Sequence, residues 1–125
     1  MSLHVRMFQG MGRGLVSDTD LACNELIAEC EVIPLSKVDT DKLEDTILAS
    51  YKFTYAKGRD CIVLGVGSLF NHSETPNVIY RLERIGKRKV MRFYTNQVVS
   101  AYTQLFTNYK ADSTDNLDMG KYFSK

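Results

Sequence analysis

A chain of 125 residues is one domain by length, and its 44% hydrophobic residues are enough for a real core. Charged residues make up 25% and the formal net charge is +1, so no global field favours nucleic acid or an anionic membrane. No apolar run reaches the roughly 18 residues that a membrane helix needs, and no signal peptide is visible.

Cysteine usage narrows the class further. Cys23, Cys30 and Cys61 are widely spaced and odd in number. They offer neither a disulfide framework nor a C-x-x-C zinc knuckle, and with only His4 and His72 beside them no metal site is expected. The pattern suits a reducing, intracellular compartment.

Residues 5–8 read as a short strand. Gly10, Gly12 and Gly14 punctuate the loop that follows, before Leu15 and Val16 resume a strand. Asp18-Thr19-Asp20 is a turn, and Asn24 makes another, since Asn tolerates positive φ. Residues 25–33 carry Leu26, Ile27, Val32 and Ile33 and suit a strand that Pro34 ends. The spacing of Leu43, Ile47 and Leu48 predicts a helix over 39–50, capped by Asp39, Thr40 or Asp41.

Residues 51–55 alternate as a strand does, a turn at Gly58 follows, and 61–64 form an apolar run. Residues 78–82 and 90–94 are two β-rich runs joined by a polar tip containing Gly86, which makes a hairpin. The basic cluster of Arg84, Lys87, Arg88 and Lys89 reads as the charged end of that hairpin. Val98-Val99 and residues 105–109 complete the apolar segments, and the tail from Lys110 is polar until Tyr122-Phe123. Many short strands without crossover helices exclude a doubly wound sheet and imply a mainly β domain with one or two short helices.

Two glycine patterns, Gly10-x-Gly12-x-Gly14 and Gly65-x-Gly67, imitate a dinucleotide-binding loop. That loop works only when a helix follows, because the helix N-terminus supplies the anion site. Here a strand follows one pattern and a polar turn the other, so the reading fails on context. The stretch 64–78, LGVGSLFNHSETPNV, sets Asn71, His72, Ser73 and Asn77 directly against apolar residues. Polar groups so placed need partners, either in a tightly hydrogen-bonded turn or from a ligand.

Four segments in order carry a family resemblance. Gly12-Arg13-Gly14-Leu15-Val16, then Leu21 with Asn24-Glu25-Leu26-Ile27, then Phe70-Asn71-His72-Ser73-x-x-Pro76-Asn77, and finally residues 104–109 ending in Tyr109 resemble the motifs of a SET domain, the fold of the protein-lysine methyltransferases. The resemblance treats 1–125 as a single SET domain, with a core over about 5–110 and a tail over 111–125. Its spacing is similar to that of the minimal SET proteins of large DNA viruses. There are departures: Ala101-Tyr102-Thr103-Gln104 stands where the family usually has Gly-Glu-Glu, Asn24 replaces a common glycine, and Thr107 replaces a common Tyr or Phe.

The resemblance implies a β-clip-like fold of several small sheets whose C-terminal segment threads beneath a loop as a pseudoknot, bringing Asn71-His72 to Tyr109. It implies transfer of a methyl group from S-adenosylmethionine to a lysine side chain of a protein or peptide, a histone tail being the family's usual target. Met11, Gly12, Arg13 and Gly14 would flank the methyl donor. The Asn71-His72 backbone would meet its adenine, and the Asn71 side chain would hold its amino-acid end. Tyr51, Phe53 and Thr107 would line the lysine channel, with the small Thr107 leaving room for more than one methylation. Tyr109 would be the catalytic residue, orienting rather than deprotonating.

Taken singly, His72 reads as a satisfied turn histidine and Tyr109 as one of seven tyrosines in or near a core. An inactive SET-like module that binds a peptide or the methyl donor is the alternative function. No direct nucleic-acid or membrane partner is expected. A homodimer is expected from the viral relatives, with Val98, Val99 and Tyr102 contributing, and Tyr122-Phe123 would fold over the site where larger relatives carry a flanking module.

Overall fold

Two small sheets account for almost all the apolar alternation in the chain. The computed structural model describes residues 1–108. Its strands are β1 (Leu3–Phe8), β2 (Gly12–Ser17), β3 (Leu26–Pro34), β4 (Lys52–Ala56), β5 (Arg59–Val63), β6 (Asn71–His72), β7 (Val78–Ile85), β8 (Arg88–Thr95) and β9 (Gln104–Thr107). One short helix, α1 (Lys37–Lys42), lies between β3 and β4. The fold is mainly β with several small sheets, as expected.

The larger sheet runs β4-β5-β3-β8-β7 and is antiparallel throughout. The smaller runs β1-β2-β9-β6, with β9 antiparallel to β2 and parallel to β6. A strand from the far end of the chain is thus inserted between two earlier segments. Phe93 on β8 centres the core, stacking on Phe70 at 4.9 Å and meeting Tyr80 at 6.0 Å and Phe53 at 6.3 Å. Gly67 is glycine for the same reason: a Cβ there would sit 2.4 Å from Val63 and 2.9 Å from Phe93.

The predicted helix over 39–50 is shorter than expected. Ser36, not Asp39, Thr40 or Asp41, caps it, accepting from the Asp39 N–H at 3.0 Å. After Lys42 the chain tightens into 3₁₀ turns at Leu43–Asp45 and Ile47–Tyr51. Thr46 separates them in an extended conformation (φ −119°, ψ 165°), its hydroxyl donating to Leu43 O and accepting from the Leu48 N–H. Ile47 is 77% exposed and Leu48 41%, so the helical spacing had no core face to bury and nothing held the helix together.

Asn71-His72, expected within a turn, forms the two-residue strand β6, and the polar turn begins after it at Ser73. Val99, expected at a dimer surface, is 4% exposed and exchanges both backbone hydrogen bonds with Leu21, so it belongs to the core, whereas Val98 is 72% exposed. Asn24 has φ +63°, as its residue type suggests. Tyr102 has φ +62°, in the stretch where the family usually has glycine. That left-handed turn is held by the Tyr102 N–H donating to Ser17 O at 2.8 Å, and the Arg6 guanidinium lies 5.8 Å from the ring centroid.

Candidate active site

The polar stretch around Asn71 is tied into place from two directions. Asn71 Nδ2 donates to Arg13 O at 2.9 Å and to Gln104 Oε1 at 2.8 Å, joining β6 to β2 and β9. These bonds require β2 to pass very close. A Cβ on Gly14 would lie 2.7 Å from Gln104 Oε1 and 2.8 Å from Asn71 Nδ2, so glycine there makes room for the carboxamides.

Asn77 performs a second join. Its Nδ2 donates to Gln104 O at 3.0 Å and its Oδ1 accepts from the Phe106 N–H at 2.7 Å, so one side chain caps the edge of β9. The Ser73 N–H donates to Thr107 O at 2.9 Å and extends the β6–β9 pairing. Asn71 and Asn77, two of the polar residues set against apolar neighbours in the sequence, are half-buried and spend their side chains on bonds that position β2, β6 and β9.

Beside this knot lies a cavity of about 170 Å³ whose lining includes Met11, Arg13, Tyr51, Ser68, Phe70 and Asn71. A narrower space of about 30 Å³ adjoins it, lined by Tyr51, Phe53, Gly67, Phe70 and Tyr80 among others. Tyr51 and Phe70 wall both. The narrow space is aromatic: Phe53 meets Tyr80 nearly edge-on at 4.9 Å. Tyr51 is carried there by the 3₁₀ turn Ile47–Tyr51, and the next residue anchors that turn. Lys52 has a side chain only 6% exposed, with Nζ 2.6 Å from Glu44 Oε1, 3.1 Å from Asp60 Oδ2 and 3.2 Å from Thr40 O. Burial works against its charge, but the two carboxylates outweigh it and hold its pKa above the ordinary lysine value.

The expected site residues divide accordingly. Met11, Arg13 and Asn71 line the larger cavity, Tyr51 lines both spaces, and Phe53 lines the narrow one. Gly12, Gly14 and His72 line neither; Gly12 sits at the hairpin bend with φ +76°, and His72 pairs with Thr107. Thr107 is fully buried, lines neither space, and its Oγ1 has no hydrogen-bond partner among the described residues. Tyr109, Tyr122 and Phe123 lie outside the described residues.

Sequence reasoning missed Tyr80, and it placed Gln104 in the C-terminal motif and in the departure before it without giving its side chain a role. Tyr80 O–H donates to Asn108 O at 3.0 Å, reaching the residue next to Tyr109 while its ring forms the narrow wall. A tyrosine in the otherwise aliphatic stripe of Val78 and Leu82 was the available signal, because a buried hydroxyl needs a partner.

A family model described as SET domain matches residues 12–110. The chain belongs to the SET domain family. The domain is 25% identical over 108 residues to the histone-lysine N-methyltransferase, H3 lysine-37 specific, of Schizosaccharomyces pombe, covering 86% of this chain and 72% of that protein. Among solved structures it resembles a proposed histone methyltransferase of Plasmodium falciparum, with a TM-score of 0.70 and 22% identity, covering 88% of this chain and 94% of that one. It also resembles a humanized mutant of the Chaetomium thermophilum Polycomb Repressive Complex 2 bound to an inhibitor, with a TM-score of 0.72 and 17% identity over 87% of this chain and 15% of that one. At those identities, the structural likenesses bear on the fold alone.

Proposed function

We propose that this SET domain is a protein-lysine N-methyltransferase that takes its methyl group from S-adenosylmethionine and has a histone tail as its substrate class. The observation that carries the reading is the pair of adjoining cavities separated by the Tyr51 and Phe70 walls. One is broad and partly polar, and the other is narrow and aromatic. The name of the fission-yeast relative supports the histone substrate.

The residues present fit the methyl donor. Both Asn71 amide hydrogens are committed, so the polar atom this side chain can offer is the acceptor Oδ1, which suits an α-ammonium group. Met11 and Arg13 supply the adjacent wall. When bound, the methyl donor supplies a methyl group on a positively charged sulfur.

The narrow space addresses a proton problem. A lysine must be neutral to act as nucleophile, and holding it so near pH 7 costs roughly 4–5 kcal/mol from a pKa of about 10.4. Phe53, Phe70 and Tyr80 form the apolar part of its wall and would strip water from an entering amine, and desolvation lowers a lysine pKa. Alignment is the other contribution, since methyl transfer is an in-line displacement and gains from fixed geometry. Tyr80 bonding to Asn108 O steers the chain entering Tyr109, to which we assign an orienting role.

The test is Tyr109→Phe. Methyl transfer to histone H3 peptides should fall by at least a hundredfold while calorimetry shows the affinity for S-adenosylmethionine unchanged. If the wild-type domain binds S-adenosylmethionine and methylates neither histone peptides nor intact histones, the histone assignment fails. Failure on a wide lysine-peptide array as well would leave a binding module.

A further inference from the structure

Gln104 closes the stretch that stands where the family usually has Gly-Glu-Glu, and its side chain is placed to govern Asn71. Its Oε1 accepts from Asn71 Nδ2 at 2.8 Å and its Nε2 lies 3.7 Å from Met11 Sδ. Gln104 itself lines neither cavity, whereas Asn71 and Met11 both line the larger one. We infer that Gln104 is a positioning residue for the amino-acid end of the methyl donor, an inference that rests on the function proposed above.

Hydrogen-bond directions fix how Asn71 can stand. A carboxamide has a donor end and an acceptor end, and rotating it by half a turn exchanges them. Asn71 faces two acceptors, Arg13 O and Gln104 Oε1, so rotation would set oxygen against oxygen twice. The side chain is therefore locked with Nδ2 inward, leaving Oδ1 for a cationic ligand group. Arg13 O is backbone and present in any variant. Gln104 is the half of the lock that sequence can change, and a glutamate there would keep the acceptor. The sulfur contact adds a second effect, since it ties the bend of the β1–β2 hairpin to the same carboxamide.

Two ligands separate this role from a general one. S-adenosylhomocysteine carries the amino-acid end, and 5′-methylthioadenosine has the nucleoside without it. Calorimetry with Gln104→Met, which keeps length and removes the acceptor, should show about tenfold weaker binding of S-adenosylhomocysteine, the size of one lost hydrogen bond to a charged-ligand contact. Binding of 5′-methylthioadenosine should not change, and Gln104→Glu should restore the homocysteine ligand. Gln104→Asn, which withdraws the acceptor by one methylene, should repeat the selective loss and serves if Gln104→Met does not fold. Equal losses for both ligands, or unchanged S-adenosylhomocysteine affinity in Gln104→Met and Gln104→Asn, overturn the inference while leaving the proposed function intact. A wild-type domain that binds neither ligand overturns both.

Discussion

Two glycines of one motif are glycine for different reasons, and the difference is measurable. Gly12→Ala places a Cβ in open space, with nothing within 4 Å, at φ +76°. Its penalty is the left-handed backbone alone, about 1–2 kcal/mol. Gly14→Ala places a Cβ 2.7 Å from Gln104 Oε1, 2.8 Å from Asn71 Nδ2 and 2.9 Å from Phe8 Cδ2. The carboxamides must separate, losing a hydrogen bond worth about 1 kcal/mol, and the sheet must shift away from Phe8 at an overpacking cost of about 1–3 kcal/mol. Together these make Gly14→Ala about 2–4 kcal/mol less stable than wild type by urea unfolding. It should also weaken S-adenosylmethionine binding at least tenfold, whereas Gly12→Ala should leave that affinity within about twofold. Adding Gln104→Ala removes the closest clash and should recover part of the stability of Gly14→Ala. A Gly14→Ala cost no greater than that of Gly12→Ala, or a Gln104→Ala that adds its full penalty on top, would mean that close packing against the carboxamides is not why residue 14 is glycine.

Asn77→Leu removes both bonds that cap the edge of β9 and should destabilise the domain by about 2–4 kcal/mol, since two backbone groups lose their partner. Asn77→Asp, which keeps the acceptor for the Phe106 N–H but sets a carboxylate oxygen against Gln104 O, should lose at least as much by the same urea assay. The buried Cys61 thiol predicts a pH effect: burial first, then the Asp60 carboxylate, pushes its pKa from 9.0 up to about 12. A raised native pKa means the contribution is whole below about pH 9 and lost as pH climbs from there to about 12. The loss is about 1.4 kcal/mol by pH 10. Urea midpoints at pH 8 and pH 10 should diverge in the wild type and diverge less in Cys61→Ala, where the buried Cys30 thiol, also raised by burial, still contributes; an equal drop in both would remove Cys61 as the cause.

Local chemistry was readable from the chain, and long-range pairing was not. Alternation gave away β7 and β8, Pro34 marked the end of β3, and Asn24 announced its own left-handed turn. The helix over 39–50 was overextended because Leu43, Ile47 and Leu48 keep helical spacing without a surface to pack on. β6 was invisible as a strand: two residues carry no period, and their partner β9 lies more than thirty positions away. Tyr102 hid a left-handed turn behind a side chain that gives no hint of it. The knot around Asn71 stayed hidden because its three members come from different segments, although each had been noticed alone.

That separation has a consequence for how ligand binding spreads. Asn71 reaches Arg13 across 58 positions and Gln104 across 33, so the site exists only once β9 has docked between β2 and β6. A ligand held by Asn71 then favours the docked strand over every conformation in which β9 is loose. At a ligand concentration 100 times Kd, that linkage amounts to about 2.7 kcal/mol. Hydrogen exchange is the direct measure. Saturating S-adenosylhomocysteine should slow exchange about a hundredfold at the Phe106 N–H, held by Asn77, and at the Ser73 N–H, held by Thr107 O, neither of which lines the larger cavity. Protection confined to Met11, Arg13 and their immediate neighbours would show instead that β9 stays docked without ligand, and that the site is preformed rather than completed by binding.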